Sequence, residues 1–269
     1  MVRIALMSLA VLLSLPACSS AQKTFLADCP PVADELAGKR VPVVVNLRNV
    51  AGAQPFALGS VLSSEAGAQY KVSKLRYYLS EAALVDSSGT VVRAPLAKPD
   101  GSPLPYGVAF VDADTPASQS VAIMAPPGTY KAVNLSVGVP VTCPTGEPLN
   151  HGDASMRAAP LDVDTDMYWS WDPNYIFLKI EGQVQSAGAW KPFFFHVGED
   201  ANRGSLHLHV PLTVAAGQAS QLDVTVDVNR LFVSPTGEAA PPLSGGAHGG
   251  APITQMATNI SKSSVFTIR

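Results

Sequence analysis

From Val41 to Asp227 the chain alternates short β-branched or aromatic runs with turn signals, and this rhythm constrains its fold more than anything else in it. VPVVVNLR at 41–48, KVSKLRYYLSEAALVD at 71–86 and Thr90-Val91-Val92 read as strands. Further runs follow at 107–111, 119–124, 129–138, 166–172, 175–185, 190–197, 205–212 and 221–228. Ser87-Ser88-Gly89, Pro126-Pro127-Gly128 and Ser186-Ala187-Gly188 punctuate them as turns. Helical signal is confined to DVNRLF at 227–232 and to residues 253–262. Ten or so short strands joined this way indicate an antiparallel sandwich or barrel. The expected fold is all-β, an antiparallel β-sandwich of Ig-like or jelly-roll-like type with few short helices.

Composition narrows the class. Only 14% of the 269 residues are charged, against 21 glycines and 23 prolines, which suits a loop-rich β protein better than a charged helical one. The formal net charge is −3 and no basic patch is present, so nucleic acid is not an expected partner. The sequence carries no GxSxG elbow, P-loop, GxGxxG or HExxH, so no enzyme is expected. The Pro-, Gly- and Ala-rich stretch 233–252 reads as a flexible loop inside one domain, because an apolar closing segment follows it.

The N-terminus supplies an address. Arg3, a short apolar run and then Leu15-Pro16-Ala17-Cys18 read as a signal peptide over residues 1–17, too short to span a bilayer. Leu-x-Ala-Cys resembles a bacterial lipobox, which implies a lipid on Cys18 and a membrane anchor. The chain then divides into a signal peptide (1–17), a lipid-anchored linker (18–39) and a single β domain (40–269). The expected location is the periplasm or outer membrane, with Ser19 after the cysteine favouring the latter. Cys29 and Cys143 remain in the body, where an oxidising envelope favours a disulfide. The alternative is two free thiols, one of them a soft metal ligand.

The richest chemistry lies in MYWSWDPNYIFLKIEG at 167–182. In an extended chain Met167, Trp169 and Trp171 share a face. His196 in FFFHVGED and His207 and His209 in SLHLHV follow, three of only five histidines. Imidazole suits copper, zinc and nickel, and thioether suits Cu(I). His207 and His209 can share an ion if His196 lies on a neighbouring strand, with Glu199, Asp200 or Asp172 holding the second ring nitrogen. His151 in NHGD is a further candidate that equally suits an Asx turn. His248 in SGGAHGGAP falls in the loop and is set aside. Asp162, Asp164 and Asp166 lack the glycine and glutamate of an EF-hand and read as a solvated acidic loop.

LRYYLSEAALVDSSG, Cys143 with Asn150-His151-Gly152-Asp153, MYWSWDPNYIFLKIEG, FFFHVGED, LHLHV, DVNRLF and NISKSSVF, in that order, resemble the MbnP family, the four-cysteine half of a "metallo-mystery pair". The resemblance covers roughly residues 40–269. It implies a secreted, β-rich, copper-binding protein whose partner is a MauG-type di-haem peroxidase thought to oxidise a tryptophan to kynurenine. Trp169 and Trp171 both sit in the matching motif. The four-cysteine label does not fit, since only Cys29 and Cys143 remain after Cys18, and Ala57 and Leu58 stand where another cysteine is expected. A metal-free surface module that stacks Trp and Tyr on a glycan or protein is the rival function.

Overall fold

Strand β1 (Val41–Ala51) alternates inward Val41, Val43, Val45 and Leu47 with more exposed neighbours, the period of a strand with one buried face. It is central in the smaller of two sheets, whose order is β16 (Phe266–Ile268), β14 (Ser220–Asp227), β1, β8 (Ser120–Ala125) and β6 (Leu96–Ala97), with β2 (Gln54–Pro55) also on β1. The larger sheet runs β13 (Gly204–Val214), β9 (Gly128–Val137), β4 (Gln69–Asp86), β11 (Asn174–Ser186), β12 (Ala189–Gly198) and β15 (Gly245–Ala247). The short strands β3 (Leu62–Ser63), β5 (Val91–Arg93) and β7 (Ala109–Asp112) pair with β4, and β10 (Tyr168–Trp169) pairs with β11. This computed structural model describes residues 39–143, 146–172, 174–234, 243–262 and 264–269. The expected signal peptide, Cys18 and Cys29 lie outside the described residues.

The two-sheet, all-β expectation holds, and there is no barrel. Two pairings are parallel, β1 with β14 and β12 with β15, where an antiparallel ladder was expected throughout. The 18-residue β4 is the spine of the larger sheet. Tyr77 pairs with both Leu178 and Val111, and Leu79 with both Val137 and Ala109. A strand residue has one neighbour on each edge, so β11 and β9 follow one another along the same edge of β4, opposite β7. Glu81 takes a left-handed φ of 52° at the irregularity between Ser80 and Ala83, where the spine bends.

The inward faces of β1, β4, β13 and β14 share one core that includes Val43, Leu84, Leu208 and Val224. The single α-helix among the described residues, α1 (Ala251–Lys262), closes this core with Ile253, Met256 and Ile260 and packs on β13 and β12. Asn259 anchors it by donating to Leu231 O (2.8 Å) and Val233 O (2.9 Å). A second, smaller core lies under residues 139–169 and gathers Tyr78, Tyr106, Leu161, Met167, Trp169, Tyr175 and Phe177. Met167 is wholly buried in this cluster. The expected strand at 166–172 contracts to β10, because the chain turns back at Ser170–Asp172 to pair Trp169 with Asn174.

Asp166 is 56% exposed, as a solvated acidic loop requires, and it also anchors that loop. Its carboxylate faces Lys74 (2.8 Å), Lys179 (3.0 Å) and Arg76 (3.6 Å), pinning the loop to the outer face of β4 and β11. Those cations hold its carboxyl below the usual range against an opposing desolvation, which is the largest single influence.

Gly182 sits at the register shift between β11 and β4, and a Cβ there would lie 1.9 Å from the Lys71 carbonyl oxygen. Gly182→Ala must push two backbones apart. We expect a loss of about 1–3 kcal/mol and a fall in Tm of roughly 2–12 °C, measured by calorimetry. An unchanged Tm would show that the bulge absorbs the methyl group.

Candidate metal centre

The β11–β12 hairpin turns on Ala187 (φ 50°) and Gly188 (φ 79°), a pair of left-handed residues typical of a two-residue hairpin loop. The turn fixes the register, so Lys179 pairs with His196 and Glu181 with Phe194. Phe193, Phe195 and Val197 enter the core, while Phe194 and His196 lie on the outer face. Glu181 Oε1 is 2.8 Å from His196 Nε2 across the ladder.

The second component arrives from residues 245–248. β15 adds in parallel to β12, with Gly246 opposite Phe194. A Cβ on Gly246 would fall 2.1 Å from the Phe194 ring, so only glycine lets this strand dock. Docking sets His248 Nδ1 2.9 Å from His196 Nδ1, with ring centroids 4.6 Å apart. Phe194, Trp169 and Trp171 surround the His248 ring at centroid distances of 5.2, 6.0 and 6.2 Å. The two indoles lie 5.6 Å from each other.

The tryptophans differ sharply. Trp169 is 4% exposed and its buried Nε1 has no hydrogen-bond partner, while Trp171 is 68% exposed. Trp169 reaches this position because Gly198 has no side chain; a Cβ there would be 2.5 Å from the indole.

Desolvation pushes His196 down to about 4, with Lys179 and His248 adding to it and Glu181 opposing. His196 is therefore a neutral imidazole near pH 7. A carboxylate only accepts, so Nε2–H donates to Glu181 and Nδ1 carries the lone pair. That is the arrangement of a metal-ligating histidine backed by a carboxylate. Two nitrogens 2.9 Å apart can both reach one ion at the ~2.0 Å imidazole distance.

The structure does not bring the expected trio together. His207 and His209 lie on β13, which pairs with β9, whereas His196 lies on β12, which pairs with β11 and β15. Among the described residues no group of three or more His, Cys, Asp or Glu gathers as a metal cluster. His151 joins a separate network, its Nε2 2.9 Å from Asp200 Oδ2 while Asn150 donates to Oδ1. Asp200 thus backs His151, and Glu181, which was not foreseen, backs His196. Cys143 is disulfide-bonded; its expected partner, Cys29, lies outside the described residues. His248 was missed because GGAHGG has the composition of a loop and no strand signal.

The MbnP family model matches residues 40–244. The chain belongs to the MbnP family. MbnP from Methylosinus trichosporium is structurally similar, with a TM-score of 0.54 and 22% identity over 80% of this chain and 82% of that one. At this identity the likeness speaks for a shared fold. Comparison with curated proteins finds no match. The matched segment ends at residue 244, so the MbnP match covers His196 and both tryptophans but stops short of His248.

Burying a neutral His196 makes the metal-free protein acid-sensitive. The unfolded residue takes up a proton near pH 6.5, whereas the folded one resists until about 4. Between these values the unfolded state binds more protons, so stability falls as the pH drops through the window. The loss amounts to roughly 3 kcal/mol. Denaturant titrations across this range should show a shallower slope for His196→Gln; parallel curves would argue against the buried neutral imidazole.

Proposed function

We propose that this chain is an envelope copper-binding lipoprotein that holds its metal with His196 and His248 beside a tryptophan oxidised to kynurenine. The observation that carries this reading is the pair of Nδ1 atoms 2.9 Å apart, His196 backed by Glu181, His248 set against Trp169 and Trp171, and Phe194 beside both rings. Imidazole donors in an aromatic, partly desolvated setting suit copper. Copper bound here would supply a Lewis-acidic and redox-active centre. The protein residues fix the donors: Glu181 orients His196, and β15 holds His248 in place.

Trp169 is the favoured site of oxidation. Its buried indole nitrogen has no partner, so ring opening leaves an aromatic amine and a carbonyl beside His248 in place of an unsatisfied group. A MauG-type di-haem peroxidase is the proposed catalyst, with this chain as its substrate, two equivalents of hydrogen peroxide as oxidant and the lost carbon released as formate by hydrolysis. Anchoring through Cys18 would keep both partners at the envelope.

The 68% exposure of Trp171 beside Phe194 favours a second reading, a module that stacks these rings on a glycan or protein without metal. Peptide mass spectrometry and metal analysis on protein from its own cells separate the two. The copper reading predicts bound copper and, on Trp169, the net gain of one oxygen and loss of one carbon that marks kynurenine. His248→Ala should abolish copper retention through desalting while leaving the fold intact by circular dichroism. Copper retained by both His196→Ala and His248→Ala would refute the site. Chelator-insensitive glycan binding, with no metal, would favour the module.

A further inference from the structure

His207 and His209 form a pair that the centre above leaves unused. Both are exposed on β13, on the side opposite its inward Leu206, Leu208 and Val210. Their ring centroids lie 4.6 Å apart with planes at 87°. Two imidazoles bound cis to one ion at ~2.0 Å from each nitrogen have centroids about 4.5 Å apart, so the pair already stands at chelating distance. Asn134, opposite His207 on β9, has Oδ1 2.6 Å from His207 Nδ1. An amide oxygen only accepts, so Nδ1 carries the proton and Nε2 keeps its lone pair. This is the outer hydrogen bond that prepares a histidine for a metal. His209 pairs across the ladder with Ala132, whose methyl group adds no competing acceptor.

We propose that His207 and His209 form a second, bidentate surface site for a divalent first-row cation, independent of the His196–His248 centre. Cu(II) binds most tightly and Zn(II) more weakly, following the intrinsic order for nitrogen donors. Solvent completes the coordination, so exchange is fast and the site holds metal less firmly than the His196–His248 pair, in which His196 is only 8% exposed. β13 presents it on a rigid strand, which keeps both rings on one face without ordering a loop.

The test is Cu(II) titration of the untagged full chain, followed by electron paramagnetic resonance and calorimetry. A His196→Ala/His248→Ala chain should still bind Cu(II) through two imidazole nitrogens, and adding His209→Ala should abolish that signal. In the otherwise unaltered chain His209→Ala should lower the stoichiometry by one equivalent, so the result does not depend on the double variant folding. Asn134→Ala should weaken this site roughly tenfold. An unchanged stoichiometry and spectrum in the single His209→Ala variant would overturn the proposal. So would loss of all Cu(II) binding in a folded His196→Ala/His248→Ala chain. Neither result bears on copper at the His196–His248 centre, which His248→Ala tests alone.

Discussion

The left-handed pair Ala187-Gly188 fixes the β11–β12 register, and that register decides which side chains meet His196. A shift of one residue would send Phe194 and His196 into the core and Phe193 and Phe195 into solvent. With the register fixed, Glu181 comes to 2.8 Å from His196 on the outer face, and the edge of β12 is left open for β15. Gly198 then admits the Trp169 indole and Gly246 admits the Phe194 ring. The site is thus built by one turn and two absent side chains more than by the ligands themselves.

The centre keeps its charges in a graded order. Lys179 is 4% exposed and pairs with Asp166, Lys74 reaches both Asp166 and Glu181, and Glu181 reaches His196. Cationic neighbours and burial oppose a proton on His196, while Glu181 holds the tautomer. Because His196 Nδ1 carries a lone pair, His248 must donate from its own Nδ1 to close the 2.9 Å contact. A metal at the proposed centre would take the place of that proton on His248 Nδ1.

Much of the scaffold is visible in local pattern. The strict alternation of β1 and β13 reflects one buried face, and the helix at the C-terminus begins two residues before the expected 253. The site was less legible. His207 and His209 share a face, as alternation requires, but alternation says nothing about which strands become neighbours. The position of β13 depends on β9 and β11 following each other along β4, a long-range outcome of where the spine bends at Glu81. Glu181 was within reach of a careful reading, because a two-residue turn sets every cross-strand pair in the hairpin. His248 was not: Gly-Gly-Ala has no β propensity, and β15 can dock because Gly246 leaves room for the Phe194 ring.

The two tryptophans show how burial separates residues that sequence treats alike. Both reach the His248 ring at similar distance, 6.0 and 6.2 Å. Trp169 is locked between Gly198 and the second core, so its orientation toward the histidine is fixed by packing. Trp171 projects from the turn and has only the neighbouring rings to hold it. A ligand made from Trp169 would inherit that fixed orientation and lose little freedom on binding a metal. One made from Trp171 would have to be ordered first, at the cost of side-chain entropy. Exposure makes Trp171 the easier target for a reagent, and burial makes Trp169 the better-placed donor. The proposed partner enzyme would resolve the conflict by withdrawing electrons through the exposed Trp171, 5.6 Å from Trp169, with no direct contact to the buried ring.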